Sequence, residues 1–367
     1  EAVSQSKKTA VRGYCFSYDM LGEAACTQHD AQHYFEKYQH AIREVGAHVN
    51  PDTPFQQRSG VSIKLSALYP RYEWLHRKKS IDVLTHQLHQ LALEAQQAGI
   101  PLTMDAEEAD RLEMSLAIFE KVYLDPSLND WPGLGLAVQA YQKRAFPVIE
   151  WLSDLAKRGG KTIAVRLVKG AYWDTEVKQA QMKGLSEYPV FTRKPSTDLN
   201  YVVCAHRLLL SVPHLYPQFA THNAYTAASI LVISKSLEVQ AFEFQALQGM
   251  GQSLHDYILA DPQFSVPCRI YAPVGVHEDL LPYLVRRLLE NGANSSFVNQ
   301  LARSDGGIDA MITSVFAQVH AYQSEPRHPH LPLPQDIFPS GRLNAPGLEW
   351  SDQLTLTALC ESIAPYG

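Results

Sequence analysis

Short strand-like segments alternate with amphipathic helical segments along most of this chain, and this alternation limits the possible folds more than any other feature. Strands separated by helices favour parallel pairing through crossover connections. About eight such units predict an α/β fold of the (β/α)₈, TIM-like barrel type. The predicted strands are Gly13–Met20, Val61–Leu68, Leu102–Glu107, Gly133–Tyr141, Val165–Trp173, Gln218–Asn223, Gln240–Leu247 and Cys268–Gly275.

Helix caps and apolar spacing place the helices between these strands. Thr27 and Asp30 are predicted to cap a helix that ends near Val45. The segment that includes residues 191–194 is predicted to be irregular. Five further helices are predicted with both bounds: Ser80–Gly99, Arg111–Tyr123, Val148–Lys157, Tyr201–Leu210 and Glu278–Asn291. One more is predicted to end at Ser234, and another lies near Leu254.

The 367 residues suffice for one barrel with additional segments. We expect residues 1–50 to form an N-terminal strand and helix leading into the barrel, 51–304 to form the barrel, and 305–367 to form a C-terminal helix and tail. Five prolines between Ser324 and Pro339 predict that the tail is an extended strap or linker. Because the chain begins with Glu1 rather than methionine, we expect it to be part of something longer.

Composition narrows the function classes. The formal net charge is −6 and no dense basic run is present, which argues against nucleic-acid binding. Five scattered cysteines without a CxxC pair indicate a reducing compartment with no zinc knuckle or disulfide framework. No apolar run approaches the roughly 18 residues that a membrane span requires. These features predict a soluble, cytoplasmic protein.

Polar side chains recur at alternate positions of the predicted strands. In Val165–Trp173, Arg166 and Tyr172 share one face, whereas Val165 and Leu167 share the other. Because the apolar face of a barrel strand meets the helices, the polar face is predicted to point into the lumen. The same alternation places Ser62, Lys64, Ser66, Thr103, Asp105, Glu107, Gln139, Tyr141, Glu243, Gln245, Arg269 and Tyr271 there. Such groups either hold a polar, flat ligand or satisfy one another in an internal ion-pair network.

Two adjacent arginines occupy the predicted helix after the last strand. Glu290 lies four residues after Arg286 and three after Arg287, so its carboxylate shares a helix face with both guanidinium groups. Two such arginines can form a fork for a carboxylate ligand, although on an arbitrary helix they would form a solvated charged cluster. The position after the last barrel strand favours the ligand-binding interpretation.

Other motifs point away from common alternatives. No GxGxxG follows a strand and opens a helix, so a Rossmann domain is not expected. Lys64 lies on an otherwise apolar strand and is a candidate Schiff-base lysine, whereas Lys169 falls on the outward face. His222, Asp105, Glu107 and His277 lack the close spacing of metal ligands, and no metal site is predicted.

Several runs together resemble the proline dehydrogenase domain of bacterial proline utilization A (PutA). They are SIKLSALYPRY, LTMDAEEADRLE, VRLVKGAYWDTE, PQFATHNA, CRIYAPVG and YLVRRLLENGANSSFVN, within a likeness that extends from about Gly13 to about Ser304. The resemblance implies a barrel that binds FAD noncovalently and oxidises L-proline to Δ¹-pyrroline-5-carboxylate by hydride transfer to flavin N5. It also implies a membrane quinone as electron acceptor, peripheral contact with the inner membrane when reduced, and an aldehyde dehydrogenase domain in the full-length chain.

The resemblance also implies roles for individual residues. Arg286 and Arg287 would bind the proline carboxylate with support from Glu290. The substrate pocket would be lined by Lys64, Asp105, Tyr172, Leu247 and Tyr271. The candidate catalytic residues are Lys64, Asp105, Tyr172, Tyr271, Arg286 and Arg287. The candidate FAD-binding residues are Gln139, Arg166, Val168, Lys169, Gly170, Ala171, Trp173, Thr192, Arg193, Lys194, Thr221, His222 and Glu290.

Two rival hypotheses remain, one enzymatic and one from a different function class. A barrel aldolase or lyase would use Lys64 as a Schiff base. A noncatalytic regulatory or docking module would retain the fold alone.

Overall fold

Eight parallel strands close into a barrel in the computed structural model, which describes residues 13–264, 266–275, 281, 283–285, 315–339 and 341–366. Each strand pairs with its sequence neighbours, and β1 pairs with β8 from Tyr14↔Cys268 to Met20↔Val274. The strands are β1 Tyr14–Met20, β2 Gly60–Ile63, β3 Leu102–Met104, β4 Leu134–Gln139, β5 Ile163–Val168, β6 Leu215–Ala220, β7 Glu243–Leu247 and β8 Cys268–Val274. The predicted (β/α)₈ fold is confirmed.

The described helices surround the barrel and continue into the C-terminal tail. They are α1 Gln28–Gly46, α2 Arg77–Gln97, α3 Leu112–Tyr123, α4 Ala145–Gly159, α5 Trp173–Lys183, α6 Lys194–Leu210, α7 Ala224–Ser236, α8 Gln252–Ala260, α9 Val315–His320 and α10 Gln353–Ile363. Thr27 and Asp30 form the predicted capping box at the start of α1. Among the described residues, no helix combines the length and apolar character needed to cross a bilayer.

Aliphatic residues on the outward faces of the strands form the core with the helices. Val61, Leu102, Val165 and Leu167 are completely buried. They belong to one continuous apolar cluster with residues of α1, α2 and α4. This packing leaves the polar faces of the strands directed into the lumen, as the alternation predicts.

Several predicted elements differ from the observed ones. The strand predicted to reach Leu68 ends at Ile63, and a short 3₁₀-helix covers Leu65–Ala67. Similarly, β3 ends at Met104 and β5 at Val168, so the predictions that extended them to Glu107 and Trp173 were wrong. After β2 the alternating pattern continues into Leu65–Ala67, because this segment is also buried.

The segment between β5 and β6 contains two helices, of which the first was not predicted. In α5 only Glu176, Val177 and Ala180 are buried, so its sequence shows little amphipathic periodicity. Helix α6 begins at Lys194 with a proline in its first turn, so the prediction of an irregular segment up to 194 and of a helix starting only near Tyr201 was wrong.

Both ends of the chain contain helices in their described parts. Residues 14–46, expected to lead into the barrel, supply its first strand and helix. Residues 321–352 contain only a short 3₁₀-helix at Pro334–Asp336 in their described part, followed by α10, which was not predicted. Ten of the fourteen residues of the predicted helix from Glu278 to Asn291 lie outside the described residues.

Candidate active site

A lysine pairs with two carboxylates at the carboxyl ends of neighbouring strands. Lys64 directly follows β2, and its Nζ lies 2.7 Å from Oδ1 of Asp19 on β1. It also lies 3.2 Å from Oδ2 of Asp105, which directly follows β3. Tyr271 on β8 donates its hydroxyl hydrogen to the same Asp105 oxygen over 2.5 Å. Because parallel strands end at one rim, four separate strands deliver these groups to one place.

Arg166 on β5 extends this group across the lumen. Its Nη1 donates to Asp105 Oδ1 over 2.6 Å, and its Nε donates to Gln245 Oε1 over 2.7 Å. Its Nη2 donates to the hydroxyls of Ser17 and Ser62, each over 3.0 Å. Only one of its five N–H groups, on Nη1, therefore has no partner among the residues that the structure describes.

A second ion pair lies deeper in the lumen. Arg269 binds the Glu243 carboxylate through Nε at 2.7 Å and Nη2 at 3.0 Å, and Glu243 accepts a further hydrogen bond from Gln245 Nε2 at 2.8 Å. Arg269 also donates to the backbone carbonyls of Gln56 and Arg58. Each of these contacts satisfies a buried charge, as the ion-pair interpretation of the alternation requires.

The protonation states follow from burial and charge. Burial by itself lowers the pKa of Lys64, but Asp19, Tyr271 and Asp105 raise it well above its ordinary value. Burial raises the pKa of Asp105, yet Lys64 and Arg166 bring it below the ordinary value of an aspartate. Burial keeps the pKa of Asp19 above its ordinary value despite Lys64. Lys64 is therefore an ammonium ion at neutral pH, which disfavours it as a Schiff-base nucleophile.

The candidate cofactor residues lie around the rim, beyond the ends of β4, β5 and β6. Gln139 ends β4 and accepts a hydrogen bond from Gln142 Nε2 at 2.7 Å. Val168 ends β5 and is half-buried. Gly170 follows with a φ of +132°, a conformation that L side chains rarely adopt. Ala171 and Trp173 are both exposed, with 36% of Trp173 accessible.

Lysines and an aspartate meet at the N-terminus of α6. Lys169 and Lys194 both bind the Asp198 carboxylate, each over 2.5 Å. Burial by itself raises the pKa of Asp198, but the charges of the two lysines bring it below its ordinary value. Two cations therefore bind one carboxylate at the start of α6.

After β6, a hydrogen bond joins the candidate FAD-binding residue His222 to the candidate substrate-pocket residue Leu247. The backbone N–H of Leu247 donates to Nε2 of His222 over 3.1 Å, which places the proton of a neutral His222 on Nδ1. The buried His255 ring lies edge-on to His222 with centroids 6.2 Å apart. His255 Nε2 lies 3.1 Å from the carbonyl oxygen of Thr221, the residue before His222.

The structure brings some of the predicted site residues into direct contact. Lys64, Asp105, Arg166 and Tyr271 form one network. Tyr172 is half-buried at the N-terminal end of α5, beyond β5. Arg286, Arg287 and Glu290 lie outside the described residues. In the described part of the chain, no group of three or more His, Cys, Asp or Glu side chains is arranged to hold a metal ion.

Sequence reasoning overlooked three members of these clusters. Ser17 and Asp19 occupy alternate positions of β1, so the same alternation that identified Lys64 would have found them. Asp198 lies within α6 and is four residues from Lys194. That spacing was the available signal for Asp198, but the segment was predicted to be irregular.

Comparison with known proteins places these features in a family. The family model described as "Proline dehydrogenase" matches residues 2–300. The chain belongs to the proline dehydrogenase family. This membership covers the whole described barrel, including every strand that contributes to the lumen network.

Individual family members show how much of each relative the chain covers. Bifunctional protein PutA of Klebsiella aerogenes is 47% identical over 373 residues, spanning 99% of this chain and 28% of that protein. A crystal structure of a proline utilization A mutant from Bradyrhizobium japonicum is 46% identical with a TM-score of 0.89, covering 98% of this chain and 37% of the other. Proline dehydrogenase 1 of Bacillus subtilis is 29% identical over 301 residues, covering 81% of this chain and 85% of that protein.

Proposed function

We propose that this chain is a flavin-dependent proline dehydrogenase, which oxidises L-proline to Δ¹-pyrroline-5-carboxylate with noncovalently bound FAD. Family membership and the names of the relatives support the substrate and the reaction. The observation that carries the proposal is the network of Lys64, Asp105, Arg166 and Tyr271, four residues assigned by resemblance and found in mutual contact at the catalytic end of the barrel.

The described rim residues fit FAD through their charge. Lys169 and Lys194 place two ammonium groups at the start of α6, where both bind Asp198. The N-terminus of a helix attracts anions, and Thr192 lies two residues before Lys194, the first residue of α6. This donor set suits a pyrophosphate.

The lumen side of the rim fits the flavin ring. Because Gln139 Oε1 accepts from Gln142, the Gln139 amide nitrogen points its donors elsewhere. Arg166 retains an N–H on Nη1, and its positive charge favours the negative charge of a reduced flavin. The exposed indole of Trp173 offers an aromatic face. FAD, when bound, supplies the hydride acceptor at N5 and passes the electrons onward.

Charge balance explains why the proline carboxylate requires additional cations. In the lumen network Lys64 and Arg166 face Asp19 and Asp105, which gives 2 − 2 = 0. A ligand carboxylate therefore finds no excess positive charge there. The sequence supplies it in Arg286 and Arg287, and we propose that these bind the carboxylate, steadied by Glu290.

The remaining pocket residues would orient proline against the flavin. Tyr271 is fixed by its hydrogen bond to Asp105, and Leu247 is fixed through its backbone contact with His222. Together with Tyr172 they provide aromatic and aliphatic walls for the pyrrolidine ring. Holding a carbon near its reaction partner in this way is a major contribution to catalysis. No general base is required, because proline can lose its ammonium proton to water beforehand.

We further propose a quinone in the membrane as the electron acceptor, with peripheral membrane contact when the flavin is reduced. The resemblance to proline utilization A supports this. A short-chain ubiquinone analogue should reoxidise the flavin after anaerobic reduction by proline. Reoxidation no faster than with buffer alone would contradict a quinone acceptor.

Absorbance spectroscopy tests the main proposal. The purified protein, reconstituted with FAD, should be yellow, and anaerobic L-proline should bleach the flavin band. Failure to bind FAD, or bound flavin that proline does not reduce, would overturn the proposal. Covalent trapping of a substrate on Lys64 by borohydride without any flavin would instead support the aldolase hypothesis.

A substitution on the predicted helix tests the carboxylate assignment. Arg286→Ala should weaken proline binding far more than FAD binding, because its guanidinium is assigned to the substrate alone. Equal loss of both affinities would contradict that assignment.

A further inference from the structure

The C-terminal strap, defined here as residues 321–352, makes direct contact with the segment that carries Thr192 and Arg193. The backbone N–H of His328 donates to Thr192 Oγ1 over 3.0 Å. Arg193 donates from Nε to the Arg327 carbonyl over 2.7 Å and from Nη2 to the Glu325 carbonyl over 3.0 Å. These contacts join residues more than 130 positions apart in the chain.

An aromatic residue of the strap completes this contact. The guanidinium carbon of Arg193 lies 4.3 Å from the centroid of the Tyr322 ring, a cation–π geometry. The Tyr322 hydroxyl lies 3.2 Å from Ser196 Oγ in the first turn of α6. The planar Arg193 side chain is thus held by two carbonyls and one ring of the strap.

A second attachment fixes the strap to the end of α5. Gly347 N–H donates to the Gly184 carbonyl over 2.9 Å. A Cβ on Gly347 would lie 1.8 Å from the Lys183 carbonyl oxygen, and one on Gly184 would lie 1.9 Å from the Ala345 carbonyl oxygen. Only glycine permits the two backbones to cross so closely. Between the two attachments, the Tyr188 hydroxyl donates to the Pro332 carbonyl over 2.7 Å.

The segment between α5 and α6 therefore has a support on each side. On the barrel side, Phe191 N–H donates to the Tyr141 carbonyl over 2.8 Å, and Lys143 N–H donates to the Pro189 carbonyl over 3.1 Å. On the other side lies the strap. A loop with so little regular structure of its own depends on such external contacts for a defined conformation.

We propose that the strap is a positioning element of the FAD site, and that Arg193 serves as its attachment point rather than as a direct ligand of FAD. This inference rests on the proposed function. The strap fixes Thr192 and the start of α6, and thereby the donors of Thr192 and Lys194. Retention of FAD then depends on Tyr322 and Gly347, although neither is among the residues assigned to the cofactor.

FAD titration of the FAD-free protein, followed by flavin fluorescence, tests this assignment. Arg193→Lys retains the positive charge but removes the planar fork, and Tyr322→Ala removes the ring beneath it. Each should weaken FAD binding roughly tenfold, as expected for losing one or two such contacts. The double variant should be little worse than either single variant, because both interrupt one attachment.

Matched controls separate the strap from general instability. Gly347→Ala, at the far attachment, should also weaken FAD binding, whereas Arg342→Ala should not, because Arg342 stacks on Phe338 within the strap itself. Hydrogen exchange of residues 188–196 in the FAD-free protein should accelerate in Tyr322→Ala and Gly347→Ala. The KM for proline should stay within about twofold of the unsubstituted value, because the substrate residues are not displaced.

The outcomes are distinguishable from failure of the proposed function. If the unsubstituted protein does not bind FAD, the proposed function itself fails. If it binds FAD and Tyr322→Ala binds equally well, the strap inference is wrong. Normal FAD affinity in Arg193→Lys together with a large loss in Arg193→Ala would show that the Arg193 charge contacts FAD directly, which also overturns the inference.

Discussion

Lys64 Nζ and Asp19 Oδ1 lie 2.7 Å apart, with 8% and 2% of their side chains exposed. This pair links β1 to the end of β2 inside the lumen, and Asp105 extends it to β3. One ammonium group thus serves two carboxylates in a space from which water is nearly excluded. Loss of Lys64 would therefore remove a cation from two buried carboxylates at once.

Replacing Lys64 should therefore destabilise the protein more than replacing Asp19. Lys64→Met leaves Asp19 and Asp105 without their shared cation and should cost about 3–5 kcal/mol, the usual penalty for breaking a buried pair. Asp19→Asn leaves Lys64 paired with Asp105 and should cost about 1–3 kcal/mol. Urea unfolding of the FAD-free protein at pH 7 measures both.

An exposed ion pair gives the control for this comparison. Lys157 pairs with Asp154 on the surface of α4 at 3.1 Å, with 51% and 71% of the side chains exposed. Lys157→Met should change stability by less than about 0.5 kcal/mol. An Asp19→Asn variant less stable than Lys64→Met would contradict the expectation that Lys64 stabilises both carboxylates.

Glu176 should give the protein a pH-dependent stability near neutrality. Its Oε1 accepts hydrogen bonds from Ala109 N–H at 2.7 Å and from the Tyr141 hydroxyl at 3.3 Å. Burial raises the pKa of Glu176 to about 7, from 4.5. The folded state binds the Glu176 proton more tightly than the unfolded state, so protonated Glu176 stabilises the fold. This stabilisation is fully present below pH 4.5 and is lost as the pH rises through 7.

The matched variant for this prediction is Glu176→Gln, which mimics the protonated side chain. Relative to this variant, the unsubstituted protein should lose up to about 3 kcal/mol between pH 4.5 and pH 8, at about 1.4 kcal/mol per pH unit. Chemical denaturation at intervals of half a pH unit measures the difference. Parallel curves for the two proteins would rule out titration of Glu176 in this range.

The barrel was predictable from the sequence because its determinants are local. Aliphatic residues such as Val165 and Leu167 must face the helices, and that requirement alone directs Arg166 into the lumen. The strand ends were less predictable, because the loop at Leu65–Ala67 is buried as completely as the strand before it. Periodicity reports burial, and it does not distinguish a strand from a buried loop.

The partners within the site were harder to predict than its members. The alternation identified Lys64, Asp105 and Arg166, but it did not indicate which carboxylate each cation binds, since this depends on side-chain reach across strands. The contact between Arg193 and the strap was harder still to predict, because it joins two irregular segments more than 130 residues apart. Neither segment carries a periodic signal that reveals the other.

Glycine at position 170 should be required for steric as well as conformational reasons. Its φ is +132°, and a Cβ would lie 2.5 Å from Cγ of the buried Tyr141 ring. Gly249 has a φ of +81°, and a Cβ there would have nothing within 4 Å, so this position controls for backbone conformation alone. Gly249→Ala should cost about 1–3 kcal/mol, and Gly170→Ala should cost clearly more. Thermal unfolding of both variants tests this order, and equal losses would mean that the Tyr141 ring moves aside.

The Arg166 guanidinium should be required for its shape and not only for its charge. Its three nitrogens bind Asp105, Gln245 and a pair of serines, a combination that a lysine ammonium cannot reproduce. Arg166→Lys should therefore slow the reduction of bound flavin by L-proline about 10²–10³-fold, a loss typical of removing one preorganised donor. Anaerobic stopped-flow absorbance measures this rate, while FAD titration shows that the cofactor is still bound. Arg158→Lys, in an exposed pair with Glu120 at 2.7 Å, is the control and should leave the rate unchanged. If Arg166→Lys reduces flavin at the unsubstituted rate, a positive charge suffices at this position and the geometry of the network does not contribute to the reaction.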